Sequence, residues 1–261
     1  MGKIIALVNQ KGGVGKTTSS INLAASLGVL NKKILLVDLD PQGNATTGVG
    51  ISKTDYDKSI YELLKDESSL KETIMKTNFK NLYIIPATIN LAGVDFELME
   101  MSKMDPAFIK GGQLKKNLTE AKELFDYIII DCPPSLGVLT TNALTAADSV
   151  IIPVQCEFFA LEGIMQLLNT IRLAQKNLNP ALSIEGVLLT MLDARTNLGL
   201  EVVEDIKSYF TDKVYDTIIP RLVKLSESPS HGKPILAYDP NSRGTEAYLN
   251  LAKEVIDRNG K

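Results

Sequence analysis

The sequence predicts an α/β fold in which a doubly wound, mostly parallel sheet carries helices on both faces. Three observations predict it. Short, unbroken apolar runs recur along the chain, segments with apolar residues at three- and four-residue spacing separate them, and a glycine-rich loop joins the first run to the first such segment. Strands buried on both faces read as continuous apolar runs, whereas strands with one wet face alternate, so this pattern places cover on each side of the sheet.

From the amino terminus, the first strand is Ile4 to Val8 and the first helix is Thr17 to Val29. Ile34 to Val37 forms the second strand and Leu82 to Ile85 the third. The least regular stretch runs from Gly43 to Met104, where glycines and short helical patterns follow one another. Its methionines, Met99, Met101 and Met104, read as packing and surface residues because methionine fills irregular gaps. The helix Gln113 to Leu124 leads into the strand Tyr127 to Ile130. The strand Val150 to Val154, the helix Leu161 to Gln175, the strand Gly186 to Leu189 and the helix Leu200 to Phe210 follow. The tail from Glu246 to Lys261 has mixed charge and reads as a docked helix. No internal repeat, low-complexity tract or Pro-, Gly- or Ser-rich linker divides the chain, so residues 1–261 read as a single domain.

Composition excludes several classes. Hydrophobic residues make up 44% of the chain and charged residues 23%, a balance unlike that of disordered or fibrous proteins. No apolar run reaches the roughly 18 residues that span a bilayer, and the start enters a strand rather than a signal peptide, so a cytoplasmic protein without a membrane partner is expected. Cys132 and Cys156 each follow an apolar run and read as reduced, at least partly buried thiols. His231 is the only histidine, which excludes a histidine-based triad or metal site and leaves it as an ordinary loop residue. The net charge of −3 lends no support to nucleic-acid binding, which would need a local basic patch.

The strongest chemical signal follows the first strand, at Asn9-Gln10-Lys11-Gly12-Gly13-Val14-Gly15-Lys16-Thr17-Thr18. Strand, loop and helix in that order are the context that a phosphate-binding loop needs. Gly12, Gly13 and Gly15 let the backbone turn tightly and aim its N–H groups inward, and the first helical turn adds unpaired donors, so ATP or a similar polyphosphate is the fitting ligand. Lys16 is expected to reach the β- and γ-phosphates, Thr17 to ligate Mg²⁺ and Thr18 to contact the α-phosphate side. The usual loop opens with a glycine where this chain has Gln10, and the departure comes with a second lysine, Lys11.

Carboxylates end two of the strands. Asp38 and Asp40 follow the second, and Asp131 follows four apolar residues in Tyr127-Ile128-Ile129-Ile130-Asp131, the arrangement that holds Mg²⁺ through its water shell. Open parallel sheets bind ligands at that carboxyl edge. Alternation along an extended chain is expected to put Asp38 and Asp40 on one side.

Lys-Gly-Gly-Val-Gly-Lys-Thr-Thr resembles the deviant Walker A signature of the ParA/MinD/iron-protein superfamily. Further stretches are similar to the ParA/Soj branch: Asp38-Leu39-Asp40-Pro41-Gln42-Gly43-Asn44-Ala45-Thr46, Gln155-Cys156-Glu157-Phe158-Phe159-Ala160-Leu161-Glu162-Gly163, and Leu225-Ser226-Glu227. The resemblance implies a P-loop NTPase fold and a Mg²⁺-dependent ATPase of DNA segregation that works as a homodimer. It also implies that Lys11 crosses to the partner subunit's phosphates, that Asp40 orients or activates the attacking water, and that Asp38 lies near the Mg²⁺ shell. Ile218-Ile219-Pro220-Arg221-Leu222 resembles the segment beside the adenine, which suggests Pro220 and the Leu222 backbone as base contacts, and Val14 is expected to bind the nucleotide with the rest of the loop from Lys11 to Thr18. By the same resemblance, Arg195 and Lys224, with Arg221 nearby, match positions that bind double-stranded DNA without sequence preference in a nucleoid-associated protein, and a ParB-like partner stimulates hydrolysis. Operator-specific binding through an N-terminal helix-turn-helix is not expected. The competing readings are a MinD-like membrane-cycling ATPase, which needs a basic amphipathic tail, an iron-protein reductase, which needs cluster cysteines, and a small-metabolite kinase or ligase.

Overall fold

Alternate residues of each apolar run face opposite sides of one sheet, and both sides are dry. Ile4, Ala6 and Val8 belong to one buried cluster with Leu35, Val37, Ile128 and Ile130, while Ile5 and Leu7 belong to a second with Ile34, Leu36 and Ile129. That double burial is why these runs carry no polar alternation.

The computed structural model describes residues 1–105, 108–157, 160–193 and 197–260. Its strands are β1 (Lys3–Leu7), β2 (Ile34–Asp38), β3 (Met75–Lys76), β4 (Leu82–Ile85), β5 (Tyr127–Asp131), β6 (Ser149–Gln155) and β7 (Ser183–Thr190), joined in the order β3-β4-β2-β5-β1-β6-β7. Every pairing is parallel except β3 with β4. The predicted strands all form, with shifts of a few residues at their ends. The two-residue β3 went unpredicted because so short a strand has no period to read.

Helices α1 (Lys16–Val29), α2 (Asn44–Gly48), α3 (Ile60–Leu64), α4 (Leu70–Thr73), α5 (Val94–Met104) and α6 (Gln113–Leu124) precede β5. After it come α7 (Val138–Ala146), α8 (Ala160–Asn177), α9 (Asn197–Phe210), α10 (Val223–Glu227), α11 (Ile235–Tyr238) and α12 (Arg243–Asn259). The irregular stretch from Gly43 to Met104 thus resolves into short helices around β3 and β4. Met101 packs against the core, and Met104 stands exposed.

The C-terminal segment docks as its mixed charge predicts. Helix α12 lies against α1 and buries Tyr248, Leu251, Ala252 and Val255. Tyr248 Oη lies 3.1 Å from Ser19 Oγ, and at the other end Asn259 Nδ2 donates to Glu185 Oε1 at 2.7 Å. Glu185 also accepts from Ser149 Oγ at 2.6 Å and pairs with Lys3 at 2.5 Å, so the amino edge of the sheet is held by a satisfied buried carboxylate. These contacts lower the Glu185 pKa against the upward push of burial. Cys132 and Cys156 are buried free thiols, and the His231 ring stacks on Tyr238 at 5.0 Å.

Candidate active site

Parallel register brings the strand-end carboxylates together. Asp131 lies opposite Leu7 of β1 on one side and Asp38 of β2 on the other, at the carboxyl edge where the chain leaves β1 for the glycine-rich loop. Asn9 shapes the start of that loop, donating from Nδ2 to the Pro153 carbonyl at 2.7 Å while its Oδ1 accepts the Lys11 N–H at 3.0 Å. Gly13 and Gly15 take left-handed backbone, with φ of 74° and 84°, which side chains with a Cβ rarely adopt. Farther along, Thr190 Oγ1 at the end of β7 donates to the Val14 carbonyl at 2.9 Å and pins the loop to the sheet.

Gly15 is the N-cap of α1 and offers no side-chain cap, so the first-turn N–H groups face a cavity of about 350 Å³. Gly12, Gly13, Lys16, Thr17, Thr18 and Asp40 line it. The two loop lysines have different surroundings. Lys16 is buried and donates from Nζ to the Lys11 carbonyl at 3.0 Å; burial lowers its pKa, and Asp131, Cys132 and Asp40 oppose that shift. Lys11 instead points outward, its side chain 43% exposed, and pairs with Glu157 at 3.2 Å.

The three aspartates also differ. Asp131 Oδ1 accepts from Ser20 Oγ at 2.8 Å, whereas its Oδ2 is buried with no hydrogen-bond partner. Burial and the neighbouring Asp38 push its pKa up, and the Thr17 and Ser20 hydroxyls work the other way. Asp38 is fully buried and its oxygens are committed: Oδ1 accepts the Asp40 N–H at 3.2 Å, and Oδ2 accepts both the N–H and the Oγ1 of Thr46 at 2.7 Å. Burial raises its pKa as well. Asp40 lines the cavity and accepts the Gln42 N–H at 2.9 Å.

Thr46 was missed by sequence reasoning, and it organises this corner. Its Oγ1 donates to Asp38 and accepts the Ala87 N–H at 3.0 Å, joining the Asp40 turn to the segment after β4. Thr46→Val keeps the shape but removes both bonds, and it is expected to lower stability by about 2 kcal/mol in denaturant titrations of nucleotide-free protein. A midpoint unchanged from wild type would show that the corner relaxes at no cost.

A smaller cavity of about 130 Å³ adjoins the first, and Gly15, Thr18 and Met191 line both. Pro220, Leu222 and Tyr248 complete its mostly apolar wall, as a purine site requires. Met191 and Tyr248 were also missed. Met191 directly follows a strand at the carboxyl edge and has a left-handed φ of 56°, a conformation that gathers at functional sites; Tyr248 carries no local signal. Of the candidate DNA contacts, Arg221 borders this cavity, Lys224 is ion-paired with Asp239 at 2.5 Å, and Arg195 lies outside the described residues.

These residues fit ATP with Mg²⁺. A lone buried carboxylate oxygen beside Thr17 suits an ion that keeps most of its waters and takes one or two protein ligands. Glycine-bent backbone, uncapped helix donors and a buried ammonium suit the phosphates. The fold and this site define a P-loop nucleotide hydrolase.

The AAA domain family profile matches residues 2–184. The chain is 62% identical to the sporulation initiation inhibitor protein Soj of Bacillus subtilis over 255 residues, 98% of each chain. It is 50% identical to the chromosome-partitioning ATPase Soj of Treponema pallidum over the full length of both. Among solved structures, a cobyrinic acid a,c-diamide synthase from Mycobacterium smegmatis with bound ADP and magnesium superposes with a TM-score of 0.84 at 34% identity, covering 100% of this chain and 97% of that one. The chain belongs to the ParA/Soj family of chromosome-partitioning ATPases.

Proposed function

We propose that this chain, acting as one unit over residues 1–261, is a DNA-partitioning ATPase that closes into a homodimer on ATP, binds double-stranded DNA without sequence preference, and is reset by hydrolysis that a ParB-like partner stimulates on the nucleoid. One observation carries the reading: a single loop supplies two lysines, Lys16 turned into its own cavity and Lys11 turned out to the surface. An outward lysine at the mouth of a phosphate site can complete a second subunit's site, as an arginine finger does.

In this reading Lys16 and the first-turn N–H groups hold the β- and γ-phosphates, and Thr17 and Asp131 hold the metal. Mg²⁺ neutralises phosphate charge when bound. Asp38 fixes the turn that carries Asp40, and Asp40 orients the attacking water. The base lies against Pro220 and the Leu222 backbone. Leu222 has an apolar side chain, so any polar reading of adenine there falls to main-chain groups. A membrane-cycling role gains no support from α12, whose apolar residues are already buried, and no described helix is long and apolar enough to cross a membrane. Both cysteines are buried, a poor position for a cluster shared between subunits.

Gly12 supplies the test. A Cβ built there meets nothing within 4 Å, so the subunit itself has room for one, and in the proposed sandwich the added methyl groups face the second copy. Gly12→Val is expected to bind ATP within about threefold of wild type yet stay monomeric in light scattering, since overpacking a close interface costs roughly 1–3 kcal/mol at each contact. Wild type should dimerise with ATP and bind random duplex DNA with steep salt dependence. A wild-type protein that stays monomeric with ATP, or a Gly12→Val protein that dimerises normally, defeats the sandwich.

A further inference from the structure

The base cavity and the phosphate cavity are joined by more than the glycine-rich loop. From the base cavity, which Leu222, Leu225 and Ser226 line, α10 runs without a break into the 3₁₀ turn Ser228–His231. The Gly232 N–H closes that turn on the Pro229 carbonyl at 3.0 Å, and the Lys233 N–H donates to the Ser228 carbonyl at 3.2 Å. Its exit is anchored to α1: the Ile235 N–H donates to Asn22 Oδ1 at 2.6 Å, and Asn22 Nδ2 donates to the Thr18 carbonyl at 2.8 Å. From the phosphate cavity, the chain passes Asp40 and Asn44, both on the lining, into α2, whose Thr46 holds Asp38.

The end of α2 and that turn touch main chain to main chain. Gly50 and Gly232 both have left-handed backbone, with φ of 79° and 62°. A Cβ built at Gly50 would lie 2.9 Å from the Gly232 carbonyl oxygen, and one at Gly232 would lie 2.9 Å from Gly50 Cα and 3.4 Å from the Thr47 carbonyl oxygen. Gly48 is held as tightly, because a Cβ there would clash with Ile21 Cδ1 and lie 3.4 Å from Pro229 Cβ. Backbone meets backbone here, with no side chain to absorb a displacement by changing rotamer, so neither segment shifts without the other.

We infer that Gly50 and Gly232 form a positioning contact, through which a base in its cavity sets the turn that carries Asp40 and makes hydrolysis specific for a nucleotide over a bare polyphosphate. This rests on the places proposed above for the base and for Asp40. A base against Pro220 and the Leu222 backbone steadies α10 and the turn that continues it. Gly232 then holds Gly50, and α2 passes the restraint to Thr46 and the Asp40 turn. An inorganic polyphosphate meets the same loop donors and the same Lys16, yet leaves the base wall without support. A ligand shifts an equilibrium only through such a difference in contact between two states.

Hydrogen exchange of the full-length protein at saturating Mg-ADP or Mg-pyrophosphate reads the contact without a γ-phosphate or hydrolysis. Residues 11–18 should be protected alike by both, whereas residues 218–227 and 42–51 should exchange about tenfold more slowly with ADP, within the usual range of coupling between sites. In Gly232→Ala the extra protection at 42–51 should vanish while that at 11–18 remains, and kcat for ATP should fall about tenfold at a KM within about threefold of wild type. If wild type shows the extra protection at 218–227 but not at 42–51, the contact transmits nothing, although the base placement stands. If ADP protects 218–227 no better than pyrophosphate, base placement and contact fall together. A Gly232→Ala protein with a wild-type melting profile that keeps the extra protection at 42–51, or full turnover, also overturns the assignment; should that variant not fold, the wild-type exchange decides alone.

Discussion

Lys16→Ala is expected to weaken ATP binding by at least about 100-fold in calorimetric titrations with Mg²⁺. The side chain is buried and its ammonium lies where the loop carbonyl of Lys11 now accepts it, so in the nucleotide-free protein it sits within reach of the phosphate cavity. Hydrogen bonds to charged groups contribute roughly 1.5–3 kcal/mol each, and about 1.4 kcal/mol is a factor of ten. A second effect adds to the first. Asp131 and Asp40 both act on Lys16 electrostatically, so removing it leaves a polyphosphate facing carboxylates with no buried cation between them. Arginine is no conservative replacement, because its wide planar fork cannot take the place of a compact ammonium in a buried site. A Lys16→Ala protein that binds ATP within threefold of wild type would falsify the placement of the phosphates in this cavity.

The features that the sequence displayed most clearly were those that depend on local spacing. Strands such as Ile4 to Val8 and Tyr127 to Ile130 were readable because both faces are buried, and the loop from Lys11 to Thr18 was readable because glycines with left-handed backbone leave their own signature. Partnerships formed by tertiary folding were not. Nothing in Asn44-Ala45-Thr46 announces that Thr46 will bond to a carboxylate eight residues earlier and to the Ala87 N–H far along the chain. Asp38 shows the same limit: its expected place near the metal came from resemblance, while its hydrogen bonds tie it to the Asp40 turn. Lys224 looks like a free cation in the sequence and is paired with Asp239 in the fold.

Asp40→Ala is expected to slow ATP hydrolysis by at least about 100-fold while leaving ATP affinity within about threefold, and so to accumulate the ATP-bound form. Removing a group that positions or activates the nucleophile costs on the order of 10²–10⁴ in rate. Of the three aspartates, Asp40 is the one on the lining of the phosphate cavity. Asp131 lies deep, beside Ser20 and Thr17, and Asp38 has both oxygens occupied by backbone and Thr46. Asp40 lines the phosphate cavity and uses Oδ1 to accept the Gln42 N–H. That bond raises a rival explanation, in which Asp40 matters only for the shape of its turn. Asp40→Asn separates the two, since an amide oxygen can still accept the Gln42 N–H but carries no negative charge toward the water. Equal slowing in Asp40→Ala and Asp40→Asn, at unchanged ATP affinity, assigns the effect to the carboxylate itself; full activity in Asp40→Asn would assign it to the turn and remove Asp40 from the chemistry.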